Sequence, residues 1–425
     1  MNGLVIIQMN KLISIIKNNE RLVKNFSYLS IIKIVTLFLP LFTYPYLLKT
    51  LGQSNYGLLI YSQAVVGYFV IFVNFGFSIT TTREISQNRD NLLRISEIIS
   101  ATYFAKVLFF VISLLILYLL SIYINDIHQH FSLFLYTLLW LGLFEVFFPI
   151  YYFQGVEKMK YITMITLVSR VIFFICIFIF IKSKSDYVLF PIINLAGSLV
   201  GIICSLYILY KDGIRLIKPS FKETIYHIKS SYIMGLALGS NSLKSNLNLI
   251  LIKNVLSFNE VAVFDLISKL LNIANTVIDL ISQTVFPKLA KEKNKKFFLK
   301  LLKFVTVISI AMTLLYIAFG NMAIDLLSNN QIKNAYPVLI LMSVMVPIYS
   351  IGTMLGRNCL NVYGYDRHVL YSMIISSFIY ILVYLLLKTI LKVDFNIYVF
   401  VGVYLLSFFV DTFYRYIICK KEKLI

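Results

Sequence analysis

Residues 97–121 read EIISATYFAKVLFFVISLLILYLLS, twenty-five positions of which only Glu97 and Lys106 are charged. A hydrocarbon core about 30 Å thick is crossed by about 20 apolar residues in a helix. This stretch therefore predicts a membrane-spanning helix. Eleven more fill nearly all of the chain, at 27–48, 57–79, 131–153, 161–182, 187–210, 231–252, 261–284, 301–320, 336–357, 369–388 and 396–418. The expected fold is an all-α integral membrane protein of twelve transmembrane helices.

The basic residues between the stretches fall on alternate connections. The N-terminal tail, the even-to-odd connections and the C-terminal tail hold 27 of the 39 Lys and Arg residues, against 7 on the opposite connections and 5 inside spans. By the positive-inside rule both termini are expected in the cytoplasm. The composition, 59% hydrophobic and 14% charged with a mean hydropathy of +0.84, excludes a soluble globular chain. A net charge of +20 suggests nucleic acid at first sight, but it is dispersed over short loops, where contact with anionic headgroups accounts for it. No nucleic-acid partner is expected.

The cysteines Cys176, Cys204, Cys359 and Cys419 are solitary in sequence, so neither a disulfide framework nor a zinc site follows. No GxxxxGK, HExxH or GxSxG pattern occurs, which leaves no recognisable ATPase, metalloprotease or acyl-enzyme chemistry and no expected cofactor. Residues 1–26 read as a cytoplasmic interfacial segment without a cleavage site, and Met9 is an alternative start.

The polar stretch 211–230 divides the spans into two sets of six, 27–210 and 231–418, before a tail at 419–425. An offset of 204 residues matches Ser27–Tyr28 to Ser231–Tyr232 and Asn55 to Asn259. An offset of 209 matches Gly155–Val156–Glu157–Lys158 to Gly364–Tyr365–Asp366–Arg367. Two six-helix lobes related by a parallel repeat are a transporter architecture, with the substrate path at their interface.

Polar residues inside the spans mark where that path runs. Asp265, Lys269, Asn272, Thr276, Asp279 and Gln283 are spaced four, three, four, three, four and share one helical face. A mid-membrane charge costs at least about 2.5 kcal/mol, so this face is expected to meet protein or water. The plainer alternative is a seam in which Asp265 and Lys269 neutralise each other. Asn241, Lys244, Ser245 and Asn248 repeat the theme on the seventh span, with Lys244 near mid-depth and no carboxylate one turn away. Lys33, Lys106 and Arg170 lie inside spans one, three and five, where snorkelling explains Lys33 best. A cavity lined by Lys106, Arg170 and Lys244, with Lys269 on the eighth span, would attract phosphate or acidic sugars. Glu145 and Asp279 are the carboxylates isolated enough to suit proton or sodium coupling, whereas Asp411 has Arg415 one turn on and reads as an ion pair.

The run Tyr152-Phe-Gln-Gly-Val-Glu-Lys-Met-Lys-Tyr-Ile-Thr163, with Leu51-Gly-Gln-Ser-Asn-Tyr-Gly57 and Asn74-Phe-Gly-Phe77, resembles the Wzx-type O-antigen and capsular polysaccharide lipid flippases. These belong to the multidrug/oligosaccharidyl-lipid/polysaccharide exporter superfamily. The resemblance covers the whole length, and its Phe-Gln-Gly-x-Glu-Lys-Met run is its most specific part. It implies a V-shaped bundle in the bacterial inner membrane that rocks between inward and outward states. The cargo would be an undecaprenyl-pyrophosphate-linked oligosaccharide, with H+ or Na+ coupling in some members and a polysaccharide polymerase as working partner. It also implies a cationic central cavity, carried onto Lys106, Arg170 and Lys244 by span and depth.

Two other functions compete. A multidrug-type antiporter exporting organic cations would want a carboxylate-dominated cavity, which the deep cations oppose. A membrane polysaccharide polymerase or ligase would want a sizeable external loop, and the longest external connection spans only 321–335.

Overall fold

The computed structural model describes residues 20–332 and 335–425, and within them every side chain except those of 20–27, 29, 30, 237, 238 and 240–243. Among the described residues the regular structure is helical, and no strand occurs. Ten helical segments among them are long and apolar enough to cross a membrane. The chain is an all-α, multi-pass membrane protein. The first two of the twelve apolar stretches fall on one of these segments, Ile31–Gln87, and the seventh lies on a helix outside the ten.

Helix α1 (Glu20–Asn74) runs through both of those stretches, broken only at Gly52 (φ 80°, ψ 162°), within the Leu51–Gly57 connection. It is followed by α2 (Phe77–Gln87), α3 (Leu92–Tyr123), the short α4 (Asn125–Gln129), α5 (Phe131–Phe147), α6 (Ile150–Gly155) and α7 (Met159–Phe180). A 3-10 turn at Lys184–Val188 leads into α8 (Leu189–Lys211), then α9 (Phe221–Val255), α10 (Phe258–Glu292) and α11 (Lys295–Ser328). Helices α12 (Ala335–Ser343) and α13 (Met345–Leu355) continue as a π-helical turn, Gly356–Leu360. Then come α14 (Asp366–Leu385), a second π turn at Leu386–Ile390, and α15 (Ile397–Lys421).

Short polar side chains start several of these helices by accepting an otherwise orphaned amide. Asn91 caps α3 through Arg94 N (2.9 Å), Asn294 caps α11 through Phe297 N (3.0 Å), and Asn396 caps α15 through Val399 N (3.1 Å). Large apolar side chains such as Leu115, Ile203, Val307 and Phe378 stay exposed, the arrangement a lipid solvent allows.

The chain divides into two compact units. Unit one takes the described residues up to Phe42 with Phe69–Phe180 and Val188–Gly235; unit two takes Thr43–Tyr68, Ile181–Tyr187 and Leu236–Ile425. In unit one a core of Ile85, Ile98, Tyr103, Phe148, Tyr151, Phe153, Ile165 and Leu209 joins α2, α3, α6, α7 and α8. The Gln154–Lys158 run braces that core. Arg89 donates to Gly155 O (2.7 Å) and pairs with Glu157 (2.7 Å), while Lys158 pairs with Asp212 (2.7 Å), which also accepts from Tyr152 OH (2.8 Å). These contacts give the most family-like stretch of the sequence a structural role.

Gly76, between α1 and α2, has φ 87°, and a Cβ there would lie 2.6 Å from both Gly235 N and Ser231 O of α9. Gly364 has a similar φ of 85° but open space around it. The left-handed conformation costs an L-residue about 1–2 kcal/mol, and only at Gly76 is a clash with immovable helix backbone added. Gly76→Ala is therefore expected to lower the thermal midpoint in detergent well below that of Gly364→Ala. Equal midpoints would show that α9 does not press on this turn.

Candidate functional site

Unit two encloses a cavity of about 470 Å³ lined from five helices: Lys244 on α9, Asn272 and Asp279 on α10, Tyr349 on α13, and Tyr404, Phe408, Asp411 and Arg415 on α15, with α14 contributing Met373. Arg357, on the first π turn, and Asn361 complete the polar wall. Three cations face two carboxylates, so the lining carries one positive charge in excess.

Lys244 is 6% exposed. Its ammonium donates to Ser376 Oγ on α14 (2.9 Å) and lies 4.8 Å from the centre of the Phe408 ring. Among the described residues no carboxylate comes within ion-pair distance of it. The other two cations are already answered. Arg357 Nη1 approaches Asp279 Oδ1 at 3.5 Å, and Tyr349 OH donates to Asp279 Oδ2 at 3.1 Å. Arg415 pairs with Asp411 (2.9 Å) and donates to Gly352 O (2.8 Å) and Ser372 Oγ (3.0 Å). Gly352 and Gly356, four apart, make room for this. A Cβ at Gly356 would sit 2.7 Å from Arg415 Nη1, and one at Gly352 would sit 2.6 Å from Thr412 Oγ1. Two buried acceptors on the cavity wall, Asp411 Oδ1 and Asn361 Oδ1, have no hydrogen-bond partner among the described residues. Buried polar atoms are nearly always paired, so this wall is suited to hydroxyl or amide donors, while Lys244 is suited to one negative charge.

The structure divides the α10 stripe. Asn272 and Asp279 reach the cavity, but Asp265 and Lys269 form the i,i+4 pair, held by Tyr56, whose hydroxyl donates to Asp265 at 3.0 Å. The Lys269 ammonium lies 5.1 and 5.2 Å from the Tyr44 and Tyr56 rings, so its charge is satisfied locally. Thr276 donates to Asn272 O (2.7 Å) within its own helix. Asn248 is fully buried, accepting from Tyr380 OH (2.7 Å) on α14 one turn below the Lys244–Ser376 contact. The Asn241 side chain lies outside the described residues.

In unit one, Lys106 was expected to face an open cavity and is instead 0% exposed, with its ammonium on Glu145 Oε1 (2.7 Å) and Glu145 O (2.9 Å). Glu145, a lone carboxylate in sequence, is thus an ion-paired one, and Asn74 Nδ2 also donates to it at 2.7 Å. Arg170 is half-buried on α7. Sequence reasoning missed Arg357, counted as a loop cation, and Asn361, which carries no pattern. It had the i,i+4 spacing of Asp411 and Arg415 but not their place on the cavity wall.

The family model described as polysaccharide biosynthesis protein matches residues 22–293. Over 382 residues the chain is 24% identical to the "Putative O-antigen transporter" of Escherichia coli (strain K12), covering 88% of this chain and 92% of that protein. A protein of the same description from Shigella dysenteriae is 26% identical over 279 residues, 65% of this chain and 70% of its own. Among solved structures, an inward-facing multidrug resistance MATE family transporter of the MOP superfamily superposes with a TM-score of 0.71 at 14% identity, covering 90% of this chain and 97% of that one. The lipid II flippase MurJ, in an inward closed conformation, gives 0.71 at 14% identity, covering 92% and 87%. At these identities the two structures bear on the fold alone. The family model, spanning more than half of the chain, and the O-antigen transporter relatives together carry the assignment: the chain belongs to the polysaccharide biosynthesis protein family, the Wzx-type transporters that its Phe153–Met159 run resembles.

Proposed function

We propose that this protein is a flippase that carries undecaprenyl-pyrophosphate-linked oligosaccharide units across the bacterial inner membrane by alternating access, for O-antigen or capsular polysaccharide synthesis. It is a transporter and not an enzyme, as its named relatives are. The reading places both termini in the cytoplasm and takes 27–210 and 231–418 as the two lobes, joined by 211–230.

The observation that carries it is the unit-two cavity, where Lys244, without an ion-pair partner among the described residues, stands beside buried acceptors and aromatic rings. Sugar hydroxyls would satisfy the acceptors, the rings offer apolar faces, and a phosphoryl or acidic sugar would meet Lys244. A cation exporter on the same fold is disfavoured because cations outnumber carboxylates in the lining. In this reading Lys244, Asn272 and Asp279 belong to the substrate path. Coupling by H+ or Na+ at Glu145 or Asp279 would require Lys106 or Arg357, respectively, to let go first.

The test is reconstitution in vesicles with a fluorescent lipid-linked oligosaccharide in the outer leaflet, scored by protection from an external quencher. Protein-dependent protection is expected, competed by unlabelled lipid-linked oligosaccharide and not by lipophilic organic cations. Competition by the cations alone would replace this reading with the antiporter.

A further inference from the structure

Two interruptions in the helices of unit one are tied to each other by a single chain of hydrogen bonds. The first lies between α1 and α2, where Phe75 and Gly76 take φ 45° and 87°. The second lies between α5 and α6, at Phe148 and Pro149. In an unbroken helix the amide of residue 149 would bond the carbonyl of residue 145. Proline has no such amide. The Glu145 carbonyl would then be an orphaned acceptor within packed helices, where each such group is costly.

Lys106 Nζ reaches that carbonyl from α3 at 2.9 Å. The same ammonium holds Glu145 Oε1 at 2.7 Å and lies 5.1 Å from the centre of the Tyr151 ring, just beyond the second interruption. Glu145 Oε1 also accepts from Asn74 Nδ2 at 2.7 Å. Asn74 Oδ1 accepts in turn from Gly76 N (3.2 Å) and Ser78 Oγ (3.1 Å), across the first interruption. The path therefore runs from the Gly76 amide through Asn74 and Glu145 to Lys106, and back to the carbonyl that Pro149 released. Lys106 is among the largest fully buried side chains of the molecule. A substrate-binding lysine needs an open face, and this one has none.

We infer that Lys106, Glu145 and Asn74 are positioning residues that yoke the two interruptions, so that 74–77 and 147–150 open together, with Lys106 standing in for the amide that Pro149 lacks. This does not depend on the identity of the cargo. It assigns these side chains to the conformational step and removes Lys106 from the substrate-binding surface.

Hydrogen exchange on the full chain in detergent tests the yoke without any transport assay. Lys106→Met is expected to speed amide exchange roughly tenfold, the worth of about one buried hydrogen bond, in both 74–80 and 147–153. Adding Pro149→Ala restores an amide donor for Glu145 O, so Lys106→Met with Pro149→Ala should regain part of the lost thermal midpoint, whereas Pro149→Ala alone should not raise it. Asn74→Ala cuts the path at its far end. It should speed exchange at 147–153 although it touches neither Lys106 nor Pro149, and it serves where Lys106→Met does not fold. Faster exchange confined to the mutated side in either variant overturns the yoke, and failure of Pro149→Ala to recover any stability overturns the stand-in role of Lys106.

Discussion

Lys244→Glu is expected to abolish surface polysaccharide in a strain whose own copy of this chain is deleted, with the protein present in the membrane at its usual level. The substitution turns the cavity's excess of one positive charge into an excess of one negative charge. It sets a carboxylate against the Phe408 ring face that now meets the ammonium at 4.8 Å, the arrangement an aromatic quadrupole disfavours. For an anionic group held about 5 Å away at an effective dielectric of about 20, reversing one unit charge changes the interaction by on the order of 6 kcal/mol. That would reduce occupancy by more than about 10⁴-fold. Lys244→Gln removes only the attraction, about half of that energy, and should leave weak display. Lys244→Arg should retain partial function, because it keeps the charge while its wider head no longer matches Ser376. Folding should survive in all three, since the Ser376 hydroxyl can donate as well as accept. Full complementation by a well-expressed Glu variant would mean that Lys244 does not meet the cargo.

The helices were legible because crossing a hydrocarbon core demands length and apolarity, and both are written locally. The break at Gly52 falls in an expected connection, but those at Phe75–Gly76 and Phe148–Pro149 lie inside the stretches 57–79 and 131–153, which read as continuous because apolarity runs straight through them, and Pro40 and Pro45 leave their helix unbroken. Pairings between helices were not legible either. Glu145 looked solitary because its partners Lys106 and Asn74 lie 39 and 71 residues away, beyond any local spacing rule. The α10 stripe shared one face as its spacing required, but what divides it is the neighbour each turn meets: Tyr56 and Tyr44 near Lys269, and the cavity near Asn272 and Asp279.

Arg357 shows a different failure. The apolar stretch 336–357 ends on it, so it read as a loop cation, yet the π turn at Gly356–Leu360 carries the helix onward and puts it on Asp279. A π turn has no residue signature that a single sequence displays, and such turns recur at functional sites. Cys359 on the same turn meets Cys419 of α15 with the thiol sulfurs 3.5 Å apart, a proximity equally invisible in sequence.

Arg415→Met is expected to cost about 3–5 kcal/mol, the usual result of removing one partner from a buried ion pair, and to leave little folded protein. Arg415 and Asp411 are 6% and 8% exposed, and Asp411 Oδ1 already lacks a partner among the described residues, so losing the guanidinium would strand a whole buried carboxylate. The Gly352 carbonyl would suffer less, because the Gly356 amide also bonds it within the helix. Arg415→Met combined with Asp411→Leu should therefore recover most of the lost thermal midpoint in detergent, as apolar replacements of buried pairs usually do. Transport should not return with stability, since the double variant deletes from the cavity wall both an unpartnered acceptor and the guanidinium that spans α13, α14 and α15. Arg415→Lys keeps the charge but cannot bond Asp411, Gly352 and Ser372 at once, so it should fall between wild type and Arg415→Met. If Arg415→Met alone were as stable as the double variant, the pair would be an incidental surface contact and the cavity wall would need another anchor.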